Sequence, residues 1–136
     1  VSTNSTRTRV RAAIALAALA SAVLVPAPAA AATVPPTITC TYRLNTWPGG
    51  FSADLVIANS GPAIDGWTAR WTFATPTRVM ITWAASLTQP SPYENVATPV
   101  PWNRVIGTGK SFTFGWTAAA PATEVPTDIT INGVPC

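Results

Sequence analysis

From residue 38 onward the chain alternates apolar and polar positions with a period of two. Ile38, Cys40, Tyr42 and Leu44 interleave with Thr37, Thr39, Thr41 and Arg43, and Phe51, Ala53, Leu55 and Ile57 interleave with Ser52, Asp54, Val56 and Ala58. Trp67, Ala69, Trp71 and Phe73 keep one parity against Thr68, Arg70 and Thr72, while Phe112, Phe114 and Trp116 do so against Thr113, Gly115 and Thr117. Side chains of a strand point alternately to two faces, so the pattern predicts half-buried strands rather than helices. A last strand carries Ile129 and Ile131. Clusters such as Asn59-Ser60-Gly61-Pro62 separate the runs, and fourteen prolines leave little room for helix. The expected fold class is all-β, an antiparallel β-sandwich of immunoglobulin-like or jelly-roll type.

The first 32 residues read differently. Arg7, Arg9 and Arg11 precede an uncharged run from Ala12 to Val25, and Ala30 and Ala32 fit an A-x-A cleavage site. That run falls short of the roughly 20 apolar residues that span a bilayer, and it has no polar face at helical spacing. The expectation is a signal peptide over residues 1–32, a short leader over 33–37 and one module over 38–136, secreted to the extracellular space.

Removing the leader changes the charge. Arg43, Arg70, Arg78, Arg104 and Lys110 then stand against Asp54, Asp65, Glu94, Glu124 and Asp128, so the net charge is zero. Neither nucleic acid nor an anionic membrane is indicated as a partner, and a neutral ligand fits better. The two cysteines, Cys40 and Cys136, read first as a disulfide in an exported chain. A metal site is the weaker alternative, since the chain has no histidine and two thiolates do not complete a zinc shell.

The absence of histidine also removes Ser-His-Asp and Cys-His machinery. A glycosidase needs two carboxyls about 5 to 10 Å apart. Asp65, Glu94, Glu124 and Asp128 fall in turns and loops, which leaves no evident pair. No catalytic residue and no cofactor is expected, and the module is taken as a monomer.

Six tryptophans remain to be placed. Strand parity puts Trp67, Trp71 and Trp116 in the core. Trp47 lies in the turn sequence Asn45-Thr46-Trp47-Pro48-Gly49-Gly50, with no alternating partners. Trp83 ends the run Val79-Met80-Ile81-Thr82, and Trp102 sits among Pro99, Pro101 and Asn103, where a central strand is forbidden. All three belong to strand ends or turns. They either cap the sandwich or form a flat platform on which the axial C–H face of a pyranose stacks.

The sequence here resembles the family 2 carbohydrate-binding modules, in particular their cellulose-binding subgroup, across residues 38 to 136. The resemblance is carried by Cys40 and Tyr42, Trp47-Pro48-Gly49-Gly50-Phe51, Ile64-Asp65-Gly66-Trp67-Thr68, Trp83, Pro101-Trp102-Asn103, Phe112-Thr113-Phe114-Gly115 and the closing Ile131-Asn132-Gly133-Val134-Pro135-Cys136. It implies a Cys40–Cys136 disulfide joining the ends and a binding face built from Trp47, Trp83 and Trp102. It also implies hydrogen bonds to sugar hydroxyls from Asn45, and from Asp54 where the family has a second asparagine. Ile81 replaces a polar residue and Arg104 a glycine, so the stacking contacts carry over more fully than the polar ones. Arg104 either reaches the sugar or, the first reading, is a solvated loop charge. The xylan-binding subgroup carries an arginine three residues after the first platform tryptophan, where this chain has Gly50. The implied ligand is insoluble polysaccharide, cellulose first and chitin second; the alternative is a secreted sandwich that binds a protein, as an inhibitor or adhesion domain does.

Overall fold

A computed structural model describes residues 17–28 and 37–136. Residues 17–28 are exposed and form no regular secondary structure. The rest of the expected leader, with Ala30 and Ala32, lies outside the described residues.

Residues 38–136 form eleven strands: β1 (Ile38–Trp47), β2 (Gly50–Asn59), β3 (Ile64–Asp65), β4 (Ala69–Thr72), β5 (Arg78–Trp83), β6 (Ser86–Thr88), β7 (Glu94–Thr98), β8 (Val105–Ile106), β9 (Lys110–Ala119), β10 (Thr130–Ile131) and β11 (Val134–Pro135). A single 3-10 turn covers Pro101–Asn103. One sheet has the order β1-β2-β9-β5, the second β11-β10-β4-β7-β6, and β3 pairs β8 in a small ribbon. Every pairing is antiparallel. The proline in β11 is tolerated because that strand is an edge, where one row of N–H groups needs no partner.

The two sheets meet through aromatic rings supplied by the expected parities. Trp71 stacks on Trp116 with centroids 4.7 Å apart, and Trp67 on Phe114 at 5.4 Å. All three core tryptophans are buried, as are Phe51, Leu55, Ile57 and Ile131. Offset ring pairs of this kind contribute about 0.5–1.5 kcal/mol beyond the area they bury. Phe112 is only partly buried, at the margin of the layer against Trp67.

Cys40, on the inner side of β1, is bonded to Cys136, with Cα atoms 5.4 Å apart. The bond closes a loop with a sequence separation of 96. Loop-closure entropy for a ring of this size stabilises the fold by about 4–5 kcal/mol. The double substitution Cys40→Ser, Cys136→Ser is expected to lose that amount in urea unfolding. A loss under 1 kcal/mol, by the same chain-entropy estimate, would mean that the unfolded chain is already compact.

Tyr42 packs edge-on against Trp116, with centroids 5.8 Å apart. Burial pushes its phenol above the ordinary tyrosine range, and the Glu124 carboxylate adds to the shift. The folded chain therefore keeps a proton that the unfolded chain releases near pH 10, about the ordinary phenol value. Stability from this source is complete below that pH and declines as pH rises above it. Tyr42→Phe should flatten the alkaline limb of a stability-versus-pH curve; an unchanged limb would show that other groups set it.

Candidate functional site

Three rows of side chains cross the solvent face of the four-stranded sheet. Arg43, Asp54, Gly115 and Trp83 face one another across β1, β2, β9 and β5; Asn45, Ser52, Thr117 and Ile81 make the second row; Trp47, Gly50, Ala119 and Arg78 make the third. Trp47 is thus the last residue of β1 and continues its outward parity after Arg43 and Asn45. The expectation that it lacks alternating partners is corrected: the turn begins one residue later, at Pro48, because Trp47 still pairs with Gly50.

Trp83 reaches this face by an irregularity. Val79 pairs with Ala118 and Ile81 with Thr117, so Met80 is an extra residue with no partner in β9. A bulge of one residue reverses the parity of everything after it. Val79 points inward with Ala118, and without Met80 as the extra residue Ile81 and Trp83 would point inward too. The bulge instead turns both toward solvent.

Each of these two indoles covers a glycine. Gly50 and Gly115 are buried although they lie on the solvent side of the sheet. A Cβ on Gly50 would come 2.8 Å from Trp47 Nε1 and 2.7 Å from the Ala118 carbonyl. One on Gly115 would strike the Trp83 ring, 2.5 Å from Cε2, and the Asp54 carboxylate. The rings lie low across β2 and β9 because no side chain holds them off. Trp47 remains 45% and Trp83 39% exposed.

Trp102 is set by a turn rather than a strand, and it is 74% exposed. Pro101 starts the turn and the buried Asn103 anchors it. The Asn103 amide Nδ2 donates to the Ala84 carbonyl at 2.6 Å, and its Oδ1 accepts the Val100 N–H at 3.0 Å. Trp67 Nε1 donates to the Asn103 carbonyl at 2.9 Å. Ala84, the residue after Trp83, adopts a left-handed φ of 60°. One buried asparagine therefore joins the turn carrying Trp102 to the chain leaving Trp83.

Arg104, next in sequence, donates from Nε and Nη2 to the two oxygens of Asp65 at 2.7 and 3.2 Å. The pair is exposed, and Asp65 raises the already high pKa of the guanidinium. Glu124 accepts the Ala74 N–H, and Asp128 accepts the Thr72 N–H and hydroxyl. Three of the five carboxylates are thus engaged in holding loops.

Trp47, Trp83, Asn45 and Asp54 share one sheet face, and Trp102 is tied to the end of β5. Sequence reasoning did not find the extra residue at Met80, the glycine seats or the tether at Asn103. A glycine inside an otherwise strand-like run is the signal for the seats, since it marks close approach of another group. Asn103→Ala removes two part-buried hydrogen bonds, to the Val100 N–H and the Ala84 carbonyl. It is expected to destabilise the fold by about 1–3 kcal/mol in urea unfolding and to raise the quenching of Trp102 by acrylamide; unchanged quenching would mean that the prolines alone hold the turn.

A family model described as a cellulose binding domain matches residues 38–136. Endoglucanase B of Cellvibrio japonicus is 42% identical over 78 residues, which are 56% of this chain and 15% of that enzyme. The chain thus spans a small part of the curated relatives it matches. Among solved structures, the chitin-binding domain of Chi18aC from Streptomyces coelicolor superposes with a TM-score of 0.62 at 29% identity, covering 74% of this chain and 94% of that one. The cellulose-binding family 2 carbohydrate-binding domain of ScLPMO10C gives 0.53 at 30% identity, covering 68% and 91%.

Proposed function

Since the chain belongs to the cellulose binding domain family over residues 38–136, we propose that it binds insoluble polysaccharide without cleaving it, by stacking sugar rings on Trp47, Trp83 and Trp102. The observation that carries this is the seating of two exposed indoles on Gly50 and Gly115, on the solvent side of a sheet whose inner side carries the aromatic core. An indole lying low on a sheet offers a broad apolar surface, and the axial C–H groups of a pyranose match it without any charge. The family's character as a cellulose binding domain and the ligands of the two structural neighbours, chitin and cellulose, agree with such a surface.

Asn45 and Asp54 stand beside the rings on the same face and supply hydrogen bonds to sugar hydroxyls. The engagement of Asp65, Glu124 and Asp128 in loop contacts favours a binding role over hydrolysis. Export with the 1–32 leader removed would deliver the module to polymer outside the cell. Cellulose and chitin both present the ring face that an indole needs, so stacking alone serves either.

Adsorption isotherms on crystalline cellulose and chitin test the proposal. Trp47→Ala, Trp83→Ala and Trp102→Ala should each weaken adsorption by about 1–3 kcal/mol, the range of other aromatic hot spots, with unfolding midpoints unchanged. Molar salt should have little effect, because no charge is neutralised. A Trp83→Ala variant that adsorbs as well as the parent, or binding abolished by salt, would overturn the stacking mechanism.

A further inference from the structure

The solvent face beside Trp47 is apolar toward β5. Trp47, Met80, Ile81, Thr117 and Ala119 line a hollow of about 360 Å³ on the solvent face. Met80 is 55% and Ile81 63% exposed, two large apolar side chains in succession, because the bulge turns Ile81 to the same side as Met80. Nothing in residues 37–136 covers them. Next to them in the same row, Thr117 and Ser52 carry hydroxyls that both donate and accept.

A polymer chain lying on Trp47 and Trp83 must pass its ring substituents over this hollow. A sugar hydroxyl placed against Met80 and Ile81 loses water and finds no partner there, which costs free energy. An acetamido group has the opposite character. Its methyl gains by leaving water for an apolar wall, and its amide N–H and carbonyl can meet the hydroxyls of Ser52 and Thr117.

We infer that the hollow beside Trp47 is a subsite for the acetamido group of a 2-acetamido sugar, with Ile81 and Met80 as its wall, so that the face prefers chitin to cellulose. The inference rests on the stacking role proposed above and adds the choice of sugar to it. It departs from the expectation that cellulose ranks first.

Parent and Ile81→Gln are compared by adsorption to crystalline chitin and crystalline cellulose, with unfolding midpoints as a control. The parent should bind chitin more tightly. Replacing the apolar wall by an amide should weaken chitin binding about fourfold, the value of one buried methyl group, and leave cellulose binding equal or stronger. Parent preference for cellulose, or an Ile81→Gln variant with an unchanged chitin-to-cellulose ratio, sinks the subsite while stacking stands. A folded parent that adsorbs to neither polymer removes the stacking face and the subsite together.

Discussion

Each residue of a strand has only two directions available, and on β2 and β9 one of them leads into a layer with no space left. Trp116, Phe114, Leu55 and Ile57 are wholly buried there. That packing pins the register, because a slip of one residue would drive Asp54 or Thr113 into the aromatic layer and expose its rings. Once the register is fixed, the rows on the far side are fixed too. Asn45, Asp54 and the two glycine seats occupy their places because of what lies behind them. The single departure, at Met80, occurs on β5, an edge strand, where an extra residue disturbs pairing with one neighbour only.

The glycines convert this order into a rigid surface. An exposed tryptophan over alanine or threonine would stand away from the sheet and rotate, and freezing such a side chain on binding costs about 0.5–1.5 kcal/mol. Over Gly50 and Gly115 the rings already lie against backbone. Asn103 serves Trp102 in another way, by holding a whole turn to Ala84 and to the indole N–H of Trp67. The core tryptophan Trp67 is thereby bonded to the backbone next to the exposed Trp102, so the core and the exposed turn share a hydrogen bond.

Much of this was legible in the sequence because period-two alternation is a direct consequence of strand geometry. The strands around Cys40, Leu55 and Phe114, the burial of Trp67, Trp71 and Trp116, and the bond between Cys40 and Cys136 all stand as read. Trp47 was separated from its strand because Pro48 and Gly49 pull the turn signal toward it, whereas the pairing with Gly50 carries β1 one residue further. The route of Trp83 to the surface was illegible, since Val79, Ile81 and Trp83 share one parity and only pairing with β9 reveals the bulge. Arg104 was rightly placed on a loop, yet its partner Asp65 lies 39 residues earlier and comes within reach only when β3 pairs with β8.

The Cys40–Cys136 bond also determines where force travels. A pull applied across these two residues passes from one sulfur to the other and never loads the hydrogen bonds of the strands between them. Those strands lie inside a covalent ring, so tension applied at Cys40 and Cys136 cannot lengthen the chain between them or peel β2 from β9.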